Sequence, residues 1–280
     1  MSFQGKERQG GVKQITSHAN PIIKEIKGLV AQRKHRRDSG LFVAEGLKLA
    51  SDALKAGWGV RYLAMGPEAR ENQAALDVAA KAKAQGALIL EVSNAILTNL
   101  TRRDNPQMVV GVYEQKVRGL DTIDVNERKT WICLDRVRDP GNLGTIIRTG
   151  DAVGAAGVVL IGDTTDPFAV EAVRATMGSL FHMPLIRCRE DEFIDWRRNW
   201  PGLVVGTHLR GTMDYREPQY KEPLLLVMGN EQAGLSDALA DSCNTLVKIP
   251  QEGQADSLNL AIATAVMLFE VRRDMLQLAK

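Results

Sequence analysis

Three glycine-punctuated stretches in the C-terminal half of this 280-residue chain carry the side chains that could do chemistry. The first, DPGNLGTIIRTGDAVG at Asp139–Gly154, follows the apolar run Trp131–Leu134 and holds Asn142 and Arg148 six residues apart. That spacing is less than two helical turns, so an amide and a guanidinium could approach one end of a single element. The second, LLLVMGNEQAGLS at Leu224–Ser236, ends an apolar run at Met228 and Gly229 and continues into Asn230 and Glu231. The third, VKIPQEGQADSLNLAIATAV at Val247–Val266, closes a strand at Ile249–Pro250 and opens an apolar helix with Ser257, Leu258 and Asn259. Loops that follow parallel strands can converge on one crevice at the carboxyl edge of a sheet. Backbone N–H and C=O groups of the second and third loops would suit a ligand with an adenine or amino-acid portion, with Ile249 and Leu258 as apolar walls. A structural reading stays open for each polar residue. Asn142 would cap the periodic segment Leu143, Ile146, Ile147 and Val153, Arg148 would be surface charge, Glu231 would complement a helix dipole, and Asn259 would cap the last helix.

Placing these loops requires alternating strands and helices, and the chain reads that way throughout. Residues 1–12 are Gly/Gln-rich and charged and predict a flexible arm. Residues 20–37, NPIIKEIKGLVAQRKHRR, predict one amphipathic helix, with Asn20 as cap, Pro21 at the first helical position, and Ile22, Ile23, Ile26, Leu29 and Val30 on one side. Short strands at Leu41–Ala44, Val60–Met65, Ala87–Val92 and Gln107–Tyr113 alternate with helices from Leu47, over Ala69–Gln85 and over Ser93–Leu100. This is an α/β domain over residues 13–114. The polar segment 115–129 reads as a linker, and a second α/β domain follows over 130–280. Its continuous apolar runs, Trp131–Leu134, Gly157–Ile161, Leu185–Arg187, Leu203–Gly206, Leu224–Met228 and Thr245–Ile249, suit strands buried on both faces of a parallel sheet. The C-terminal helix carries Leu258, Ile262, Val266 and Phe269 on one side, read first as core packing, with its other apolar positions available to a dimer partner.

Composition narrows the class. The chain is 44% apolar and 25% charged with a formal net charge of +2, ordinary for a globular protein. The charge is unevenly spread: residues 1–60 hold eleven Lys or Arg against five Asp or Glu, most of the excess within Lys24–Arg37. A basic segment of this kind suggests an anionic partner, nucleic acid first, although solvated surface charge has the same signature. Three widely spaced cysteines without a CxxC pair and four histidines without an HxxxH arrangement argue against disulfides and metal, and a reducing compartment fits. The first twenty residues lack an apolar signal core, and Leu260–Phe269 is about half of the ~20 residues that span a bilayer, so a cytoplasmic protein is expected. There is no GxGxxG after a strand, no GxxxxGK[ST], no GxSxG and no HExxH, which weakens dehydrogenase, kinase and hydrolase readings.

Taken in order, DPGNLGTIIRTGDAVGAAG, LLLVMGNEQAGLS and VKIPQEGQADSLNLAIA resemble the three motifs of the SpoU/TrmH family, RNA ribose 2′-O-methyltransferases of the SPOUT superfamily. FVAEGLKLASDAL and LTRRDNPQMVVGVYE resemble the start and end of that family's N-terminal substrate-binding domain, so the resemblance spans about residues 13–278. Gln251 and Ala255 depart from the usual apolar residues of the third motif, while Ile249–Pro250 and Ser257–Leu258–Asn259 are intact.

The resemblance implies an L30e-like α/β domain followed by a SPOUT domain with a parallel sheet and a deep trefoil knot, an exception to the rule that chains avoid knots. It implies S-adenosylmethionine as methyl donor, held by Met228, Gly229, Ile249 and Leu258, and a homodimer with the site near the subunit interface. Arg148, Asn142, Glu231, Ser257 and Asn259 match the family's catalytic positions. Lys24, Lys27, Arg33, Lys34, Arg36 and Arg37 would face RNA. RATMGSLFHMP (Arg174–Pro184) resembles the family's middle element, whose Arg174 and His182 would border the RNA, with core-helix and surface readings equally open. An arginine is a poor formal base, because its pKa lies above ~12. Holding ribose or phosphate by a bidentate fork and stabilising charge on oxygen are cheaper roles for Arg148. Ribosomal RNA is favoured as substrate over transfer RNA. A base methyltransferase on the same fold and a non-catalytic RNA-binding protein are the alternatives.

Overall fold

The computed structural model describes residues 10–127, 129–254 and 256–278. The chain forms two compact units, one made of residues up to Gln115 together with Phe168–Phe181, the other of Lys116–Pro167 and His182 onward.

The first unit runs β1 (Gly11–Ile15), α1 (Pro21–Ala31), α2 (Arg33–Ser39), β2 (Leu41–Glu45), α3 (Leu47–Lys55), β3 (Val60–Met65), α4 (Pro67–Glu71), α5 (Gln73–Ala84), β4 (Leu88–Val92), α6 (Asn94–Thr101) and β5 (Val109–Glu114). Its mixed sheet has the order β1-β4-β3-β5-β2, with β5 antiparallel to both β2 and β3. Ile23, Ile26 and Leu29 of α1 are buried against the sheet with Leu41, Leu90 and Val112. Asn20 caps α1 by accepting from the Ile22 amide at 2.9 Å, with Pro21 at the first position, as the sequence predicts.

Three expectations for this unit need correction. Of the arm at 1–12, residues 1–9 lie outside the described residues, while Gly11 and Val12 belong to β1, which pairs in parallel with β4 at the sheet edge. The single helix over 20–37 is two helices, broken at Gln32, whose backbone is extended (φ −132°, ψ 121°). The cause is Arg36, buried rather than turned to solvent, which donates to the Leu29 carbonyl at 2.7 Å and so satisfies a terminal carbonyl of α1. Helix Ala69–Gln85 is likewise split at Asn72, which caps α5 by accepting from the Ala75 amide.

The segment Phe168–Phe181, with α8 at Val170–Thr176, is distant in sequence yet belongs to the first unit. Aromatic packing accounts for this: the Phe42 ring lies 4.8 Å from Phe168 and 5.9 Å from Trp58, and the Trp58 indole donates to the Phe181 carbonyl at 3.0 Å.

The second unit contains β6 (Thr130–Asp135), α7 (Pro140–Ala152), β7 (Gly157–Ile161), β8 (Leu185–Cys188), α9 (Glu190–Arg197), β9 (Leu203–Thr207), β10 (Met213–Asp214), β11 (Leu224–Met228), α10 (Asp237–Ser242), β12 (Thr245–Lys248) and α11 (Leu260–Val271). Every pairing in its sheet is parallel, in the order β10-β12-β9-β11-β6-β7-β8. Strands β6, β7 and β11 are buried along their whole length, as unbroken apolar runs require. The segment 115–129 is not a free connector. Arg118 exchanges backbone hydrogen bonds with Leu185 and Arg187 beside β8, and Leu120 and Ile123 enter the core around Trp131 and Ile186.

The C-terminal helix reverses one expectation. Leu260, Ala261, Thr264, Met267, Leu268 and Val271 are its buried face. Ile262 and Phe269, taken as core, are 54% and 55% exposed, and Leu258 is 37% exposed. A helix apolar on nearly all sides gives periodicity little purchase in choosing the inner face.

Candidate active site

The chain leaves β6 toward β7 and β8, then returns to the opposite side of β6 for β9, β11 and β12. The direction of winding therefore reverses beside β6, and the carboxyl ends of β6, β11, β9 and β12 lie along one edge, where open parallel sheets hold ligands. All three chemistry-bearing loops leave from that edge.

After β6 the chain enters α7 through Asp139, not Asn142. The Asp139 carboxylate accepts from the Asn142 amide at 2.6 Å, Pro140 takes the first helical position, and Asn142 sits within the first turn. Its side chain is thereby released from capping. Leu143, Ile146 and Ile147 face the core, and Gly150 lets α7 close onto the sheet, since a Cβ there would lie 2.6 Å from Ile132 Cδ1. Arg148 points outward from the same helix, and among the described residues it makes no hydrogen bond or ion pair.

The loop after β11 folds tightly upon itself. Asn230 and Gly234 exchange backbone hydrogen bonds at 2.9 and 3.0 Å, and the Asn230 side chain accepts from the Gln232 and Ala233 amides. A Cβ on Gly229 would collide with the backbone of Gly234 and Leu235, so this position admits only glycine without rearrangement. The loop after β12 leads to Asn259, which caps α11 by accepting from the Ala261 amide at 2.9 Å.

These loops meet in one hydrogen-bonded junction. Glu231 accepts from the Arg138 amide at 3.1 Å, from the Asp139 amide at 3.2 Å and from the Asn142 side-chain amide at 3.2 Å. The Asn142 side-chain oxygen in turn accepts from the Asn259 amide at 2.9 Å. One residue from each of the three motifs is thus joined through Asn142. The capping readings of Asn259 and the bridging role hold together, because different atoms of the amide do each job.

A second set of contacts, not anticipated from the sequence, fixes the base of the junction. Asp135, buried at the end of β6, holds Arg136 through two hydrogen bonds of 2.7 and 2.8 Å and accepts from the Ser236 amide at 3.0 Å. That pairing holds the Arg136 guanidinium more firmly protonated than in water. Arg136 has a left-handed backbone (φ 47°), and its carbonyl accepts from the Asn230 side chain at 2.7 Å. Asp135 and Arg136 sit at the end of a parallel strand, the one sequence signal that could have marked them.

Beside the junction lies a cavity bounded by Met228, Gly229, Glu231, Ile249, Ser257 and Leu258, with Gln251 also on its wall. Thr207, His208 and Leu209, which follow β9, complete it and were missed because no glycine-rich motif surrounds them. Partial burial and the charge of Arg210 lower the His208 pKa, favouring its neutral form. The donor set fits S-adenosylmethionine: backbone groups of two tight loops, the first closed by Gly229 against Gly234 and Leu235, and apolar walls from Leu209, Ile249 and Leu258. Asn142, Asn259 and Arg148 are not on the cavity wall; the first two border it through Glu231 and Leu258, and Arg148 lies on the outer face of α7. Ala255 lies outside the described residues. Among the described residues no group of three or more His, Cys, Asp or Glu could hold a metal ion.

The basic residues divide. Lys24 and Lys27 line a cleft of the first unit, and Arg33, Lys34 and Arg37 are exposed on α2. Arg36 is spent on the Leu29 carbonyl. Its burial corrects the expectation that Arg36 faces RNA. Arg174 pairs with the buried Glu45 carboxylate at 2.7 Å and donates to the Thr101 carbonyl at 3.0 Å, while a third of its side chain stays exposed. His182 is exposed.

A parallel sheet whose carboxyl-edge loops border a small cavity, with a helix after β6 that bears an outward arginine, defines a ligand-binding domain of the α/β class. Comparison with known proteins gives the family: residues 129–269 match the SpoU rRNA Methylase family, and this chain belongs to it. Residues 20–111 match the MRM3-like substrate binding domain. The chain is 33% identical to the 23S rRNA (uridine(2479)-2′-O)-methyltransferase of Streptomyces viridochromogenes, over 95% of this chain and 94% of that one. It is 33% identical to the 23S rRNA (guanosine(2553)-2′-O)-methyltransferase RlmP of Bacillus subtilis, over 93% of this chain and all of that one. Among solved structures, the AdoMet-bound rRNA methyltransferase from Sinorhizobium meliloti superposes with a TM-score of 0.89 at 54% identity, covering 95% of this chain and 99% of that chain.

Proposed function

We propose that this chain transfers a methyl group from S-adenosylmethionine to a ribose 2′-hydroxyl of ribosomal RNA. The observation that carries the reading is the junction of Glu231, Asn142 and Asn259, which draws all three motifs to the edge of one cavity. The related enzymes of Streptomyces and Bacillus that act on 23S rRNA support the substrate class.

Met228, Gly229, Ile249 and Leu258 would hold the cofactor, which when bound supplies an electrophilic methyl group on a sulfonium. The remaining work is alignment of the attacking oxygen, which saves much of the entropic cost of bringing two reactants together. Among the described residues the Arg148 guanidinium is uncommitted, so its fork is available for the target ribose or its phosphate and for charge developing on the oxygen. Asn142 ties the start of α7 to Asn259 at the start of α11, Glu231 locks the first loop to the second, and Ser257 presents a hydroxyl at the cavity wall. Lys24, Lys27, Arg33, Lys34 and Arg37 would draw in the RNA backbone. The 2′-hydroxyl is what distinguishes RNA from DNA at such a site.

Further parts of the same reading are the L30e-like character of the first unit, threading of the C-terminal segment as a trefoil knot, a cytoplasmic location, and a homodimer. The exposed Ile262 and Phe269 on α11 support a dimer, since they offer a second copy an apolar face next to the cavity-lining Leu258. Phe269→Asp is then expected to shift the sedimentation profile from dimer to monomer.

The test uses labelled S-adenosylmethionine and ribosomal RNA from cells lacking the protein. Label should enter one nucleotide, and the phosphodiester after it should resist alkaline cleavage. Label recovered on a base, with that bond still cleaved, would favour the base-methyltransferase alternative. RNA binding without label would favour a non-catalytic binder.

A further inference from the structure

The first unit contains a cleft of about 530 Å³ between α1, the start of α2 and the end of α6. Its charged or ionisable lining residues are Lys24, Lys27, His35 and Arg102, joined by the amides of Gln32 and Asn99, and among the described residues no Asp or Glu lines it. Arg102 and Asn99 lie far in sequence from the basic segment, and only the fold brings them to it. We infer that this cleft is a phosphodiester-binding site for the RNA chain, with Arg102 as its anchor. The inference rests on the reading of the protein as an RNA-modifying enzyme and gives that reading a specific seat on the first unit.

Three features of the backbone support a built site over chance surface charge. Arg102 ends α6 in the left-handed conformation (φ 55°), which glycine or asparagine adopts at far lower cost. This turn sets Arg102 on the wall of the cleft, beside Asn99 and Leu100 of the same helix. The break at Gln32 turns α2 away from the line of α1 and places His35 against Gly28. A Cβ on Gly28 would lie 2.5 Å from His35 Nδ1, so this mid-helix glycine makes room for the imidazole at the cleft wall. Finally, nearby charges of other sign are already committed. Glu25 accepts from the Tyr62 hydroxyl at 3.1 Å, and Glu45 is paired with Arg103 and Arg174. Among the described residues, Lys24, Lys27 and Arg102 pair with no carboxylate. The cleft therefore carries uncompensated positive charge beside amide donors, the chemistry that recognises a phosphate with a neighbouring unpaired nucleotide.

The test is equilibrium binding of a 23S rRNA transcript to the full chain across a salt series, with the Arg102→Gly variant and the Lys24→Gln/Lys27→Gln double variant. Glycine suits the left-handed position, so Arg102→Gly should keep or raise the thermal midpoint and isolate the side chain's contribution. Loss of one phosphate contact should weaken binding about five- to eightfold at 0.1 M salt and flatten the slope of log affinity against log salt by about 0.7 to 0.9. The double variant should lose roughly twice that slope. Wild-type affinity and slope in both variants would overturn the inference. So would inorganic phosphate binding to the wild type at micromolar concentration without competing with the transcript, because the cleft would then serve a free anion. The readout is binding, so absence of methyl transfer with these effects intact would refute the enzymatic reading and leave the cleft standing.

Discussion

The two polar regions of this molecule are built on opposite plans. At the carboxyl edge of the parallel sheet, Glu231, Asn142, Asn259, Asn230 and Asp135 all have partners within the protein, mostly backbone amides or one another. In the cleft of the first unit, Lys24, Lys27 and Arg102 have no acidic partner among the described residues. The saturated region is organised before any ligand arrives, which suits a small cofactor whose reactive atom must be placed to a fraction of an ångström. The unsaturated region leaves long cationic side chains to a flexible polyanion, where counterion release supplies the affinity and fine placement matters less. Arg148 is instructive because it lies on the second unit but behaves like the first: a cation on a rigid helix with no partner among the described residues.

The contrast can be broken at several points. Gly229→Ala should have the largest effect, because the added Cβ meets main chain and not a side chain that can swing away. Overpacking of about 1–3 kcal/mol predicts up to about a hundredfold weaker S-adenosylmethionine binding by calorimetry, with RNA binding unchanged. Raising salt from 50 to 200 mM should do the reverse. The three phosphate contacts of the cleft alone, with a single strand, contribute a slope of about −2, hence at least about twentyfold weaker RNA binding, while cofactor affinity stays nearly constant. Glu231→Ala removes an acceptor for three donors. Since the site is partly open to water, the loss in unfolding free energy should fall near the lower end of about 1–3 kcal/mol, measured by denaturant titration. The smallest effect is the coupling between Asn142→Ala and Asn259→Ala, about 0.5–1 kcal/mol in a double-mutant cycle; strict additivity would show that their 2.9 Å contact carries no energy.

Much of this was legible in the sequence. Continuous apolar runs marked β6, β7, β9 and β11 because a strand buried on both faces has no alternative composition, and Leu143, Ile146 and Ile147 marked the inner face of α7. The failures have physical causes. Asn142 and Asp139 are both good caps three residues apart, and the proline between them decides for Asp139. The split at Gln32 depends on Arg36 folding back onto Leu29, an arginine that composition counts as surface charge. β1, GVKQI, is short and shows no alternation of apolar and polar residues; pairing with β4 and burial of Ile15 hold it, so local pattern did not separate it from a tail. Ile262 and Phe269 were assigned inward because α11 is apolar almost all round. His208 and Leu209 carry no motif, and their place on the cavity wall follows from strand order alone.

The central claim is that the clasped cavity and the outward arginine of α7 divide the labour, one holding the methyl donor and the other the ribose. It is tested most directly by Arg148→Ala in paired assays of S-adenosylmethionine binding and single-turnover methyl transfer to unmodified ribosomal RNA. Unchanged cofactor affinity and thermal midpoint, with transfer reduced by about a hundredfold or more, are predicted for loss of a transition-state contact. Near-normal transfer by the variant, at wild-type cofactor affinity, would contradict the account.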